Sequence, residues 1–375
     1  MKYVSDFRDP IKIKYSQNQI YQTVEEIIAK GDRKIRIMEV CGGHTHTLFK
    51  YGLKQILPHN IEMIHGPGCP VCVLPKGIVD NCILMSKKQN VIITTFGDAM
   101  RVPGSVNSLL QAKADGSDIR MVYSPSDALE IAKNNPDKEV VFFGLGFETT
   151  MPSTAFTILE AHRKNVTNFS LYCNHITIPQ TLKALLEDKD LDIDAFIGPG
   201  HVSMVIGTRD YEFISKVYKK PLVVSGFEPL DILQSIWMIL QQLKDGKSLI
   251  ENQYNRVVSS SGNKNAIKAI SEVYEIRDYC EWRGLGSIAN SGVKIKGKYI
   301  NFDAEIKYEL EKQKISDPKE CQCGEVLKGI LKPPDCKVFG KKCTPENPLG
   351  ALMVSSEGAC SAYYKYSLDS YSYAN

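Results

Sequence analysis

The stretch EVVFFGLGFETTMPSTAFTILEAHRKN (139–165) decides the fold. EVVFFGL (139–145) is a continuous apolar run rich in β-branched and aromatic residues, the pattern of a strand buried on both faces. A turn bearing glycine and threonine follows, and STAFTILEAHRKN (153–165) then reads as an amphipathic helix. Strand, glycine turn and helix in that order form one piece of a parallel β–α unit.

The same alternation extends in both directions. Strands are expected at IRIMEV (35–40), IEMIHG (61–66), VIITTF (91–96), DIRMVYS (118–124), FSLYCN (169–174), DAFIGP (194–199) and PLVVSG (221–226). Helical patterns lie between them, among them KGIVDNCILMSKK (76–88) and EPLDILQSIWMILQQLKDG (228–246). Three pairs of turns look alike: MEVCGGHTH with FGLGFETT, IHGPGCPVC with FIGPGHVS, and VIITTFGDAM with LVVSGFEPLD. These predict two α/β half-units, 33–135 and 136–248. Beyond 250 a Ser/Gly hinge leads to a helix, a small β element and a Cys-, Pro- and Gly-rich end. Such an end has little apolar material for a core of its own, and a metal is the usual remedy.

Of 375 residues, 43% are hydrophobic and 24% charged, an ordinary globular balance, and the length predicts two or three domains. The net charge of +3, from 46 basic and 43 acidic residues, gives no bulk electrostatic case for nucleic acid. The start MKYVSDFRDPIKIKYSQNQ has no apolar signal core, and the longest apolar stretch, IWMIL (236–240), is far short of a membrane span. A cytoplasmic protein is expected. Its eleven cysteines are then ligands or redox groups rather than structural disulfides.

Eight of the eleven cysteines form two groups, with Cys82, Cys173 and Cys280 elsewhere. Cys323, Cys336, Cys343 and Cys360, with Cys321 nearby, crowd the C-terminal end. Four thiolates can close a tetrahedral zinc site or hold a [4Fe–4S] cube. Zinc sites usually show CxxC pairs, absent here, whereas a cube accepts ligands scattered over several loops. Cys321 is the spare, because a CxC pair seldom supplies two ligands to one cube. In the N-terminal third, GPGCPVC (66–72) presents Cys69 and Cys72 as a redox dithiol or half a metal site. CGGHTH (41–46) places Cys41 at a strand end, where open α/β folds bind ligands, with His44 and His46 as companions for iron or zinc. Asp98, Arg101, Glu148, His201 and Glu228 sit in further post-strand turns, suited to proton transfer or, equally, to charge pairs and helix caps. Glu357, in SSEGAC, is a further candidate.

Taken together, MEVCGGHTHTL, HGPGCPVCVLP, TTFGDAMRVPGS, GFETTMPST, GPGHVSMVIG, SGFEPLDIL and CGEVLKGILKPPDCKVFGKKCTPENPLGALMVSSEGACSAYYKY resemble the HypD family of [NiFe]-hydrogenase maturation proteins over essentially the whole chain. The resemblance implies two Rossmann-like three-layer α/β domains facing a cleft, plus a smaller C-terminal α-rich iron–sulfur domain, here expected from 1–32 and 249–375. It implies a scaffold on which the Fe(CN)₂CO centre is assembled, with the hydrogenase large subunit as the indirect destination. A HypC-type chaperone would share the iron with Cys41, and a HypE-type protein would deliver cyanide from a thiocyanate-bearing cysteine. Cys69 and Cys72 would be the dithiol, also able to handle iron. Cys323, Cys336, Cys343 and Cys360 would hold the [4Fe–4S] cluster, and His44, His201 and Glu357 would complete the catalytic set. An iron–sulfur thiol/disulfide reductase acting on protein partners is the alternative, and a zinc-stabilised binding module a third.

Overall fold

The computed structural model describes residues 4–311 and 315–371. Its strands are β1 (Ile35–Glu39), β2 (Ile61–His65), β3 (Val91–Thr95), β4 (Ile119–Met121), β5 (Glu139–Gly146), β6 (Phe169–His175), β7 (Ala195–Pro199), β8 (Leu222–Ser225), β9 (Ile250–Asn252), β10 (Tyr274–Trp282) and β11 (Gly286–Ile295). One sheet runs β2-β1-β7-β8-β9 and a second β4-β3-β5-β6, both parallel throughout, while β10 and β11 form an antiparallel hairpin. Every residue of β3, β7 and β8 is buried, as expected of parallel strands covered on both faces. The α/β class read from 139–165 is the class observed.

The division of strands differs from the expected half-units. The chain lays down β1 and β2, crosses to build the whole second sheet from residues 91–175, and returns to add β7, β8 and β9 to the first. A boundary at 135/136 therefore falls inside the second sheet, between β4 and β5. The two GPG turns, offered above as equivalents in separate halves, end β2 and β7 of the same sheet, on either side of β1. Local periodicity marks strands but carries no information on which distant strand each pairs with.

The N-terminal segment was expected with the cysteine-rich end and instead belongs to the first sheet. Helix Pro10–Ile28 starts at Asp9, whose carboxylate accepts the Ile11 N–H at 2.8 Å, with Pro10 in the first turn. Its inner stripe, Ile20, Val24 and Ile27, packs with Ile232, Ile236 and Leu240 of helix Pro229–Lys244 in one buried cluster with Ile35, Ile37 and Ile197 of the sheet. An apolar stripe at this spacing has to be covered, and the neighbouring helix covers it. Likewise β9 extends the first sheet past residue 249, and helix Lys264–Val273 and the β10–β11 hairpin pack against the second sheet's helices and β6.

Only the remaining C-terminal stretch stands apart from both sheets. Its helices Cys323–Leu327 and Ala359–Tyr371 are joined by 3-10 turns and irregular chain, so helix is a minor part of it. It shares a core rather than owning one: Cys323, Val326, Cys343, Leu352 and Cys360 are buried in one cluster with Cys69, Cys72 and Val73.

Truncating Ile20, which is fully buried, to Ala should cost about 2–5 kcal/mol in urea unfolding. The thiol reactivity of Cys323 and Cys360 should stay unchanged in native buffer. Heightened reactivity there would return the helix to the cysteine-rich end.

Candidate metal and thiol site

β1 lies between β2 and β7, so the strand order reverses beside it and leaves a crevice beyond the C-terminal strand ends. Four of the sequence candidates come from this edge. Cys41 follows β1 in extended conformation (φ −151°, ψ 122°) and caps helix Gly42–Lys50. Cys69 and Cys72 follow β2, and His201 follows β7. The turns after β1 and β2 are joined by the Gly42 N–H, which donates to the Gly68 carbonyl at 2.9 Å. A Cβ on Gly68 would collide with the Cys41 backbone, and one on Gly42 with the Glu357 side chain. Both glycines are required by close approach.

Glu39, the last residue of β1, is fully buried. It accepts hydrogen bonds from the Cys41 N–H at 3.0 Å, from His65 Nδ1 at 2.8 Å, and from the Thr45 hydroxyl. Burial lowers the His65 pKa despite Glu39, which keeps the ring neutral with its Nδ1–H as donor. Neither Glu39 nor His65 was singled out from sequence. The available signal was an acid between the apolar Met38 and Val40 at a strand end, since a buried acid needs hydrogen-bond donors.

The Cys41 thiol is pushed well up by burial and by the nearby Glu357, with Glu39 adding, although the N–H groups of Gly43 and His44 oppose this. A protonated thiol ringed by acids is poised to lose its proton to an arriving cation. His44 is buried, and its Nε2–H donates to the Ser225 carbonyl at 3.2 Å, which leaves Nδ1 buried without a partner. Its ring stacks on Phe227 at 4.9 Å, and His201 stacks on the same phenyl at 3.8 Å. The two histidines are thus brought together through Phe227.

The Cys69 and Cys72 sulfurs approach to 2.6 Å, and both residues are buried. A Cβ on Gly358 would sit 3.0 Å from Cys72 Sγ. Burial, then Cys69, raise the Cys72 thiol pKa, with smaller contributions from Glu357 and Cys323. Cys323 is held beside Cys360 and lies 3.2 Å, sulfur to sulfur, from Cys321. The segment SSEGAC (355–360) therefore joins the two cysteine groups: Glu357 faces Cys41, Gly358 backs Cys72, and Cys360 neighbours Cys323. Cys343 is buried in the same cluster, with Cys336 packed against it. This donor set is all thiol and fits an iron–sulfur cube in kind. Among the described residues, no group of three or more His, Cys, Asp or Glu side chains stands arranged to hold a metal ion.

Other candidates take structural places. Glu228 caps helix Pro229–Lys244 and pairs with Arg8. Arg101 donates to the Pro345 carbonyl at 3.0 Å and so ties down the cysteine-bearing loop. His46 lies edge-on to Tyr366. Asp98, after β3, lies close enough to Glu357 to add to the upward shift that burial gives its carboxyl. Glu148 is buried away from the cysteines against the Ile178 N–H at 3.1 Å, and burial pushes its pKa up to about 8.

Glu39→Gln keeps the side chain's size but turns an amide N–H toward one of three donors. It should cost about 1–3 kcal/mol and speed hydrogen exchange at the Cys41 amide. Unchanged stability and exchange would remove Glu39 from the site's support.

Comparison with known proteins finds relatives along nearly the whole chain. The family model described as "HypD: Hydrogenase formation hypA family" matches residues 15–367. The chain is 55% identical over 370 residues to the hydrogenase maturation factor HypD of Rhodobacter capsulatus, with 98% of each chain covered. It is 52% identical over 366 residues to HypD of Escherichia coli K12, again with 98% of each covered. Against HypD of Azotobacter vinelandii it is 46% identical over 374 residues, covering 98% of this chain and 97% of that one. With a family match and identities of this extent across nearly its whole length, the chain belongs to the HypD family of hydrogenase maturation factors.

Proposed function

We propose that this chain is the scaffold on which the Fe(CN)₂CO centre of a [NiFe]-hydrogenase is assembled, working in the cytoplasm. The observation that carries the reading is the meeting of both cysteine groups at SSEGAC (355–360). Iron, the cargo, is taken by Cys41 together with a thiolate from a HypC-type chaperone. Glu39 fixes the Cys41 backbone, the acids around the thiol attract the cation, and the thiol proton leaves as the metal arrives. His44, with a free buried nitrogen, and His201 line the crevice on the β7 side.

Cyanide comes from a HypE-type protein carrying a thiocyanate. Releasing it breaks an S–C bond and consumes two electrons, and Cys69 and Cys72 are placed to give both. The balance is R–S–CN plus two thiols going to R–SH, one disulfide, cyanide and a proton. Cys323, Cys336, Cys343 and Cys360 would hold a [4Fe–4S] cluster, which when bound supplies one-electron transfer. Cys323 is near enough to Cys72 to act on its thiol, so a cluster held there would be suited to returning the disulfide to the dithiol.

Cys72→Ser tests the dithiol step. Cyanide transfer from the thiocyanate donor should be lost, while Cys41 alkylation and iron content at the C-terminal cysteines stay at wild-type levels. Transfer at the wild-type rate would discard the two-electron relay.

A further inference from the structure

We infer that Cys321 is a protective thiol: in the cluster-free chain it closes a disulfide with Cys323, which shields that sulfur and holds the C-terminal site shut until a reductant opens it. The inference rests on the reading of Cys323 as a cluster ligand and gives a task to the fifth cysteine, which that reading leaves idle.

The geometry has three parts. The two sulfurs stand 3.2 Å apart, one residue between them in sequence. Both are backed by Gly350, where a Cβ would collide with each sulfur, so the loop closes off one side of the pair. The other side is open: both cysteines line a surface cavity of about 380 Å³ together with Arg283, Gly284, Asp317 and Gln322. A small disulfide such as oxidised glutathione has access from there.

The two residues differ in freedom. Cys323 begins helix Cys323–Leu327, whose first turn is pinned because Gly324 lies directly on the backbone of Gly284 at the hairpin tip. Cys321 lies before the helix, half-buried, held by its N–H to the Pro318 carbonyl at 2.8 Å. Cys321 is therefore the more accessible partner, outside the helix, and Cys323 the enclosed one.

The step is an ordinary exchange. Cys321–SH and Cys323–SH react with oxidised glutathione to give the intrachain disulfide and two molecules of reduced glutathione. Two electrons pass from the protein thiols to glutathione, and the two thiol protons leave on it. A disulfide spanning one residue is strained, so a dithiol reductant opens it readily. While closed it spares Cys323 from irreversible over-oxidation to the sulfinic acid. Cluster insertion thereby becomes conditional on a reducing environment.

The test uses the full chain stripped of iron by a chelator, exposed to oxidised glutathione and mapped by mass spectrometry. The expected result is loss of both free thiols in the Cys321–Cys323 peptide as an internal disulfide, and loss of cluster reconstitution, judged by visible absorbance, until dithiothreitol is added. Cys321→Ser should show Cys323 glutathionylated, and hydrogen peroxide should convert Cys323 to the sulfinic acid faster than in wild type. Free thiols at 321 and 323 under conditions that oxidise Cys69 and Cys72 would overturn the inference. Cys323→Ser separates the two claims: a cluster that still reconstitutes fully on it refutes Cys323 as ligand, whatever the disulfide mapping shows.

Discussion

The placement of β1 between β2 and β7 is the constraint on which the site depends. It sets the turn carrying Cys41 beside the turn carrying Cys69 and Cys72, near enough for Gly42 to donate to Gly68. A side chain on Gly68 would force the turns apart, so the glycines of CGG and GPG are consequences of that pairing. The buried Glu39 carboxylate then binds the end of β1, the start of the following helix and β2 through Cys41, Thr45 and His65. Three donors from three places converge on one fully buried carboxylate, and a buried network of this kind admits few alternative arrangements.

Much of this was legible in the sequence, and what was missed has physical causes. The strand at 139–145 and the helix after it were readable because burial on two faces and helical periodicity leave local marks. The long return of β7 to pair with β1 leaves none, and so the two GPG turns were assigned to separate halves. The helix Pro10–Ile28 carries an apolar stripe at helical spacing, but nothing in its own residues says which core covers it. Glu228 shows the ambiguity of a lone acid after a strand: it caps a helix and pairs with Arg8. Glu39, between Met38 and Val40, carries the same signal more strongly, an acid flanked by apolar residues at a strand end.

The electrostatics of the crevice bear on how the proposed scaffold would let its product go. Cys41 is flanked by Glu39 and Glu357, with Asp98 close to Glu357, and burial, then Glu357 and Glu39, favour the protonated thiol. Under the proposed reading such a site would attract a divalent cation and contribute one thiolate to it, and a partner would complete the coordination. The buried dithiol behind it lies between that thiol and the C-terminal cysteines, the order expected if electrons travel toward the crevice.

The most direct measurement is infrared spectroscopy of the anaerobically purified complex with a HypC-type chaperone, wild type against Cys41→Ser. The account predicts cyanide and carbon monoxide stretching bands, which no protein group produces, in the wild-type complex and their loss in the variant. The same bands at full intensity in Cys41→Ser would contradict it.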